Sequence, residues 1–422
     1  LNRFLASLAP YPFERLRALL ADIAPPPGLA PLAMSIGEPK HPAPTLVRDA
    51  LVEALDGLSA YPPTAGSDAL RAAIADWLRR RHGLPEVDPA TQVLPVNGSK
   101  EALFSIAQTV VDPTARGAAP RVLIPNPCYQ VYEGAALLCG AEPVYVPQGP
   151  DTGFAPDWSA VPAEAWDRVQ LAYVCSPGNP TGTVIDRAGW AELFERSARH
   201  GFVIASDECY SEIYPHDEAP PEGALAAAHA LGLHGFERLL VFSSLSKRSS
   251  VPGLRSGFVA GDARLIERFR LLRSYSGAAM SLTVQAASAA AWRDERHVVE
   301  NRRLYRAKFD SVVPLLDGPL RLHRPAGGFF LWAQVPGGDD LSFTRDLYGQ
   351  YNVVVLPGRY LSREVDGRDP GRGFVRLALV DAIDACVEGA RRIRACAERR
   401  GGRHPAAATP VAPTRTLPDP IR

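Results

Sequence analysis

Between residues 92 and 273, short apolar runs recur with helical stretches between them, and no other feature restricts the fold as much. The runs lie at 92–96, 121–124, 143–146, 171–175, 201–206, 239–242 and 257–260. Each has the length of a strand, and several are apolar at consecutive positions, as strands buried on both faces are. Helical segments fall between them, at 188–200 and 263–273 and from the Asn97-Gly98-Ser99-Lys100 turn through 111. Strands that alternate with helices imply an α/β fold around a mostly parallel sheet with helices on both faces.

The flanking segments point to a second unit. A helix is expected from about Tyr11 until Pro25-Pro-Pro-Gly28, with others over 42–58 and 70–81. A long helical region over 283–315 leads to strand-like runs at 329–333, 353–356 and 373–379. At 422 residues the chain is long enough for two cores. The expected division is a large domain over 46–295 and a smaller α+β domain over 296–399, which the N-terminal segment 1–45 joins. From Arg400 the sequence turns to Gly, Pro, Ala and Thr without periodicity, which predicts a disordered tail over 400–422.

Three segments carry chemistry. The run at 171–175 is followed by Ser176-Pro-Gly-Asn179-Pro180-Thr-Gly182, an irregular turn that presents an amide able both to donate and to accept. The run at 201–206 ends in Asp207-Glu-Cys-Tyr210, which puts a carboxylate where open α/β sheets bind ligands. Ser244-Leu-Ser-Lys247 follows the next run, with Arg255 eight residues on. An amine that forms a Schiff base with an aldehyde cofactor needs such a setting, with an anion anchor close by. The chain has only four lysines, Lys40, Lys100, Lys247 and Lys308, among 46 basic residues, so this one is not routine surface charge. Each segment alone has a plainer reading: a turn, a capping Asp or a solvated loop. Gly98-Ser99-Lys100, between a strand and a helix, is a further place for an anion.

Together, in this order and spacing, the segments resemble the class I/II aminotransferases, fold-type I enzymes of pyridoxal 5'-phosphate (PLP). The resemblance runs from about Tyr11 to Arg394. It implies that Lys247 is the catalytic amine and that Asp207 keeps the cofactor's ring nitrogen protonated. Tyr210 would hydrogen-bond the cofactor's phenolic oxygen, Asn179 would also bind the cofactor, and Tyr129 would stack on its ring. The phosphate would lie on the amides of Gly98, Ser99 and Lys100, on Ser244 and on Arg255. Tyr61, in Tyr61-Pro-Pro-Thr-Ala-Gly66, would reach the phosphate of a neighbouring subunit in a homodimer. Arg376, with Asn179 and the backbone at Gly37, would hold the substrate α-carboxylate. The Ser244–Asp262 stretch and Tyr11-Pro-Phe-Glu-Arg-Leu-Arg look like those of bacterial succinyldiaminopimelate transaminases. The activity implied is amino transfer between glutamate and N-succinyl-2-amino-6-oxopimelate in lysine biosynthesis. Arg248 and Arg359 are the cations expected for that substrate's distal carboxylate. Aspartate, aromatic or methionine aminotransferases and a PLP-dependent carbon–sulfur lyase are the alternatives.

Composition limits the rest. Formal charge balances at zero, which gives no footprint for nucleic acid or an anionic membrane surface. The partners expected are small amino acids and keto acids. No apolar stretch is long enough to cross a bilayer, and Arg3, Glu14, Arg15 and Arg17 make the opening residues unlike a secretory leader. Six scattered cysteines, without a Cys-x-x-Cys pair, fit free thiols in a cytoplasmic protein. No histidine spacing fits a metal site.

Overall fold

The computed structural model describes residues 2–114 and 117–401. Its larger sheet has strands β1 (Val93–Val96), β2 (Arg121–Asn126), β3 (Glu142–Pro147), β4 (Val169–Cys175), β5 (Val203–Asp207), β6 (Leu239–Ser244) and β7 (Gly257–Gly261). They lie in the order β1-β7-β6-β5-β4-β2-β3, parallel except for β7, which runs antiparallel to both its neighbours.

Side-chain alternation explains why these runs are apolar at every position. Ala172 and Val174 of β4, Ile204 of β5, and Leu239 and Val241 of β6 enter one core. Leu171 and Tyr173, Val203 and Ala205, and Leu240 and Phe242 enter a second core on the opposite face. Both faces are covered by helices, so neither parity faces water. Asn126, Cys175, Asp207 and Ser244 therefore end their strands at the same edge of the sheet.

A second sheet is antiparallel, in the order Leu356–Pro357, Phe374–Ala378, Phe330–Gln334 and Arg321–Leu322. Its core includes residues of the helices Arg296–Leu316, Asp340–Tyr351 and Ile383–Gly401. The N-terminal segment joins this part of the chain: Leu32–Ala33 pairs with Val353–Val354. Leu16, in the helix Pro12–Leu20, packs with Trp332, Leu356 and Tyr360.

Three expectations are corrected. The helical region 283–315 is two helices, Leu282–Arg293 and Arg296–Leu316. Asp294 breaks it by turning extended and accepting the His297 N–H at 3.0 Å, a capping bond that starts the second helix. The run 353–356 is split between two pairings, one to Leu32–Ala33 and one to Phe374–Ala378. The boundary at Arg400 falls inside the helix Ile383–Gly401, and the remainder of the tail expected to be disordered lies outside the described residues.

Candidate active site

At the carboxyl edge of the larger sheet a cavity of about 270 Å³ is lined from both parts of the chain. Ser99 and Lys100, Tyr129, Asn179, Asp207 and Tyr210, Ser244 and Lys247, and Arg255 come from the larger sheet's loops; Gly37 and Arg376 come from the other side. Segments expected to share one site on motif grounds thus meet in space.

Lys247 lies in the four-residue helix Leu245–Arg248, directly after β6. Its Nζ donates to the Gly37 carbonyl at 2.5 Å and stands 5.2 Å over the Phe329 ring. Burial pushes this amine down to about 8, and the charge of Arg376 acts in the same direction. Cys209, Glu38 and Asp207 pull the other way. The neutral form needed of a nucleophile or base is therefore accessible near neutral pH.

Asp207 is buried at the end of β5 and is tied down on both oxygens. Tyr132 Oη donates to Oδ2 at 2.7 Å, and the Cys209 N–H donates to Oδ1 at 3.2 Å. Burial raises this carboxyl above its ordinary value, and the two hydrogen-bonding neighbours and Lys247 oppose that rise. Such an acid gains from a cation placed against it. Tyr132 was missed by sequence reasoning, since it lies 75 residues away and nothing in its helix marks it.

Arg376 is 5% exposed and stacks on Phe330 at 4.2 Å. Nη1 donates to Asn179 Oδ1 at 2.9 Å and Nη2 to the Ser35 carbonyl at 2.8 Å, while Nε is buried without a partner. Burial lowers this guanidinium to about 10, so it stays charged at neutral pH. It faces no carboxylate among the described residues, and a buried cation of that kind calls for an anionic ligand. Gly37 lies against the same aromatic floor. A Cβ there would stand 2.5 Å from Phe330 Cζ, so only glycine lets the backbone approach.

The anion end is built around Gly98, which caps the helix Ser99–Val110 with φ +81°. A side chain there would meet Arg255 Nη2 at 2.5 Å. Arg255 is held by the Pro252 and Asn97 carbonyls and has no carboxylate partner among the described residues. Ser244 Oγ lies 2.8 Å from Ser246 Oγ and 2.9 Å from the Ser256 carbonyl. Ser99 Oγ lies 2.9 Å from Cys209 Sγ.

Some expectations fail. Arg248 is buried away from the cavity, where it pairs with Glu295 at 2.5 Å and stacks on Trp77 and Trp292. Arg359 binds the buried Asp340 at 2.7 Å. Neither lines the cavity: Arg359 is held by the buried Asp340, and the buried Arg248 by the partly exposed Glu295. Tyr61 is a different case: it is fully exposed and outside this chain's own cavity, and its expected place was at a neighbouring subunit's phosphate. Conversely, Tyr11, Pro12 and Phe13, at the start of the N-terminal helix, line the site, and burial, with Tyr11 adding to it, pushes the Tyr129 hydroxyl up.

The chain is matched over residues 31–382 by the family described as aminotransferase class I and II. It belongs to that family. The aminotransferase is 33% identical over 399 residues to the LL-diaminopimelate aminotransferase of Desulforudis audaxviator, covering 93% of this chain and 97% of the relative. With that of Moorella thermoacetica the identity is 31%, at the same coverage of each chain. A solved aminotransferase from Neisseria meningitidis is 49% identical with a TM-score of 0.90, over 94% of this chain and 99% of that one. The aminotransferase AspB of Helicobacter pylori is 34% identical with a TM-score of 0.84, over 93% and 99%.

The family is PLP-dependent, and the residues present fit that cofactor. A helix N-terminus, a guanidinium with no carboxylate partner among the described residues and a glycine whose Cβ would fill the gap make a phosphate cradle. A buried acid for a ring cation and a depressed lysine for an aldehyde complete the donor set. No described helix is long and apolar enough to cross a membrane, and no described group of His, Cys, Asp and Glu would hold a metal.

Proposed function

We propose that this aminotransferase exchanges an amino group between glutamate and a diaminopimelate skeleton in lysine biosynthesis, and that the succinylated form is its substrate. The supporting observation is the charge of the cavity wall. Asp207 is the only acid among the described lining residues, and Lys100 brings an amine with no ion pair among the described residues, 5.3 Å over the Tyr11 ring. Free LL-diaminopimelate carries a distal ammonium as well as a carboxylate, and that ammonium finds no acid there. In the succinylated compound the same nitrogen is a neutral amide and the added end is a carboxylate. The relatives' names support the skeleton, and the Ser244–Asp262 motif supports the succinyl group.

Bound PLP supplies a ring that takes up the electron pair left when the substrate Cα loses its proton. The protein's part is binding, orientation and proton transfer. Arg376 and Asn179 would hold the α-carboxylate, which would orient the Cα–H bond for proton transfer to Lys247. Lys247 Nζ, once freed from its covalent role, takes that proton. Asp207, fixed by Tyr132, holds a proton at the ring nitrogen. Tyr210 lines the cavity on the side of the Phe329 and Phe330 rings.

Initial rates with 2-oxoglutarate and each donor test the substrate. Expected is a kcat/KM about tenfold or more higher for N-succinyl-LL-diaminopimelate, the cost of leaving an ammonium without a partner. A preference for the free diamine would sink the succinyl reading and leave the skeleton standing.

The site is completed by a second copy. Val52, Leu55, Leu58 and Tyr61 are exposed together on the segment that follows the helix Thr45–Glu53 and at its end. A twofold partner covers them and brings Tyr61 to the phosphate. Tyr61→Phe is expected to weaken PLP retention on dialysis by about 10- to 100-fold, the worth of one hydrogen bond to a charged group. Unchanged retention, or a monomer in sedimentation, would remove Tyr61 from the site.

A further inference from the structure

Lys247 lies in a helix of four residues, so its final carbonyls have no partner inside the helix. The donor comes from elsewhere. Asn301, on the helix Arg296–Leu316 and 6% exposed, donates from Nδ2 to the Lys247 carbonyl at 3.0 Å and to the Arg248 carbonyl at 3.1 Å. Two carbonyls can only accept, which fixes the orientation of the amide. Its Oδ1 must then accept, and it faces His41 Nδ1 at 2.7 Å. That nitrogen carries the hydrogen, so in the neutral ring Nε2 is an acceptor. Lys308 Nζ lies 2.7 Å from it and also donates to the Val380 carbonyl at 3.1 Å.

Every bond in this chain runs in one direction, from Lys308 through His41 and Asn301 to the carbonyl of Lys247. Its far end is just past Phe374–Ala378, the strand that carries Arg376. His41 is held on its other sides by Ser250 Oγ, which donates to its carbonyl at 3.0 Å, and by the Tyr305 ring at 4.6 Å. Tyr305 stacks on Phe329, the ring beneath the Lys247 amine. These residues lie outside the cavity wall and touch neither the anion cradle nor the carboxylate clamp.

We propose that Asn301, oriented by His41 and Lys308, is a positioning residue that holds the Lys247 helix in register with the strand bearing Arg376. Lys247 has to alternate between a covalent role and proton transfer at one atom. A backbone pinned at its own carbonyl limits that movement to the side chain. The tether also gives the amine and the guanidinium a fixed separation, although they sit on different sheets.

The inference rests on Lys247 being the covalent anchor, and borohydride trapping of PLP followed by peptide mapping checks that separately in the wild type. Asn301→Ala, with PLP bound, is then expected to lose about 10- to 100-fold in kcat, the range for small misplacements of a reacting group. KM for the donor should move less than about threefold, because the carboxylate clamp is intact. The pH midpoint of the bound cofactor's absorbance should shift as well, which a merely structural residue would not cause. His41→Gln, which keeps an N–H for Asn301, should retain more activity than His41→Leu. An Asn301→Ala enzyme with wild-type kcat and an unchanged midpoint would overturn the proposal. If that variant does not fold, Lys308→Met provides the test: the same signature at smaller size supports the proposal, and an unchanged kcat and spectrum refute it.

Discussion

Lys247→Ala is expected to bind PLP without the visible absorbance of covalent attachment and to lose transamination by at least about 10²–10⁴-fold, the contribution of a positioned general base. The loss should exceed that of any other single change, since one amine performs both tasks. Burial that lowers the amine to about 8 adds a pH signature. The neutral amine is the reactive form, so its fraction increases as pH rises through that value. Incorporation of PLP into the apo protein should therefore accelerate with a midpoint near 8, well below that of an ordinary lysine, and Lys247→Ala should show no such step. Stopped-flow absorbance across pH measures both. A midpoint at the ordinary lysine value would mean that the amine is solvated, contrary to its packing against Phe329 and Gly37.

Arg376→Ala is expected to reduce kcat/KM for every amino donor by about 2–5 kcal/mol, roughly 30- to 5,000-fold, the cost of removing one partner of a buried charge pair. The guanidinium lies on Phe330, is aligned by Asn179 and Ser35, and keeps one buried N–H without a protein partner. A lysine there restores charge but not the planar fork, so Arg376→Lys should recover only part of the loss. Cofactor absorbance should be preserved in both variants, since Arg376 is not part of the anion cradle. Steady-state kinetics with two donors of different side chain checks the assignment. A loss confined to one donor would place Arg376 at the side chain instead of the α-carboxylate.

The local order of elements was legible because it depends on short-range pattern. Runs such as 201–206 are apolar at both parities, and a strand covered on both faces has no other composition available. The strand ends were legible from residue type: Asp207 directly ends an apolar run and Lys247 stands five residues beyond another, and burial penalises each group unless a site uses it. The broken helix at Asp294 was not, because its stop is a side-chain cap and the apolar periodicity runs on past it.

Arg248 and Arg359 show where sequence adjacency misleads. Both lie beside motif residues, yet Glu295 and Asp340 neutralise them in the fold. A sequence does not say which acid an arginine will meet, since an ion pair depends on distance in space. Lys100, whose amine stands over the Tyr11 ring at the cavity wall, was read mainly for its backbone.

By itself, then, the sequence determined the α/β class and the edge of the larger sheet at which Asp207 and the Lys247 loop stand, while the roles expected of Lys247, Asp207 and Arg376 came from the resemblance to class I/II aminotransferases. The class and the edge follow from periodicity and from residue types at strand ends, both local properties. Only the tertiary structure decided that Tyr132 holds Asp207, that Tyr11 and Phe13 close the cavity, and that Asn301 pins the backbone of Lys247. Each of those contacts joins segments far apart in the chain, and what brings them together is the packing of two cores against one another, which no local pattern records.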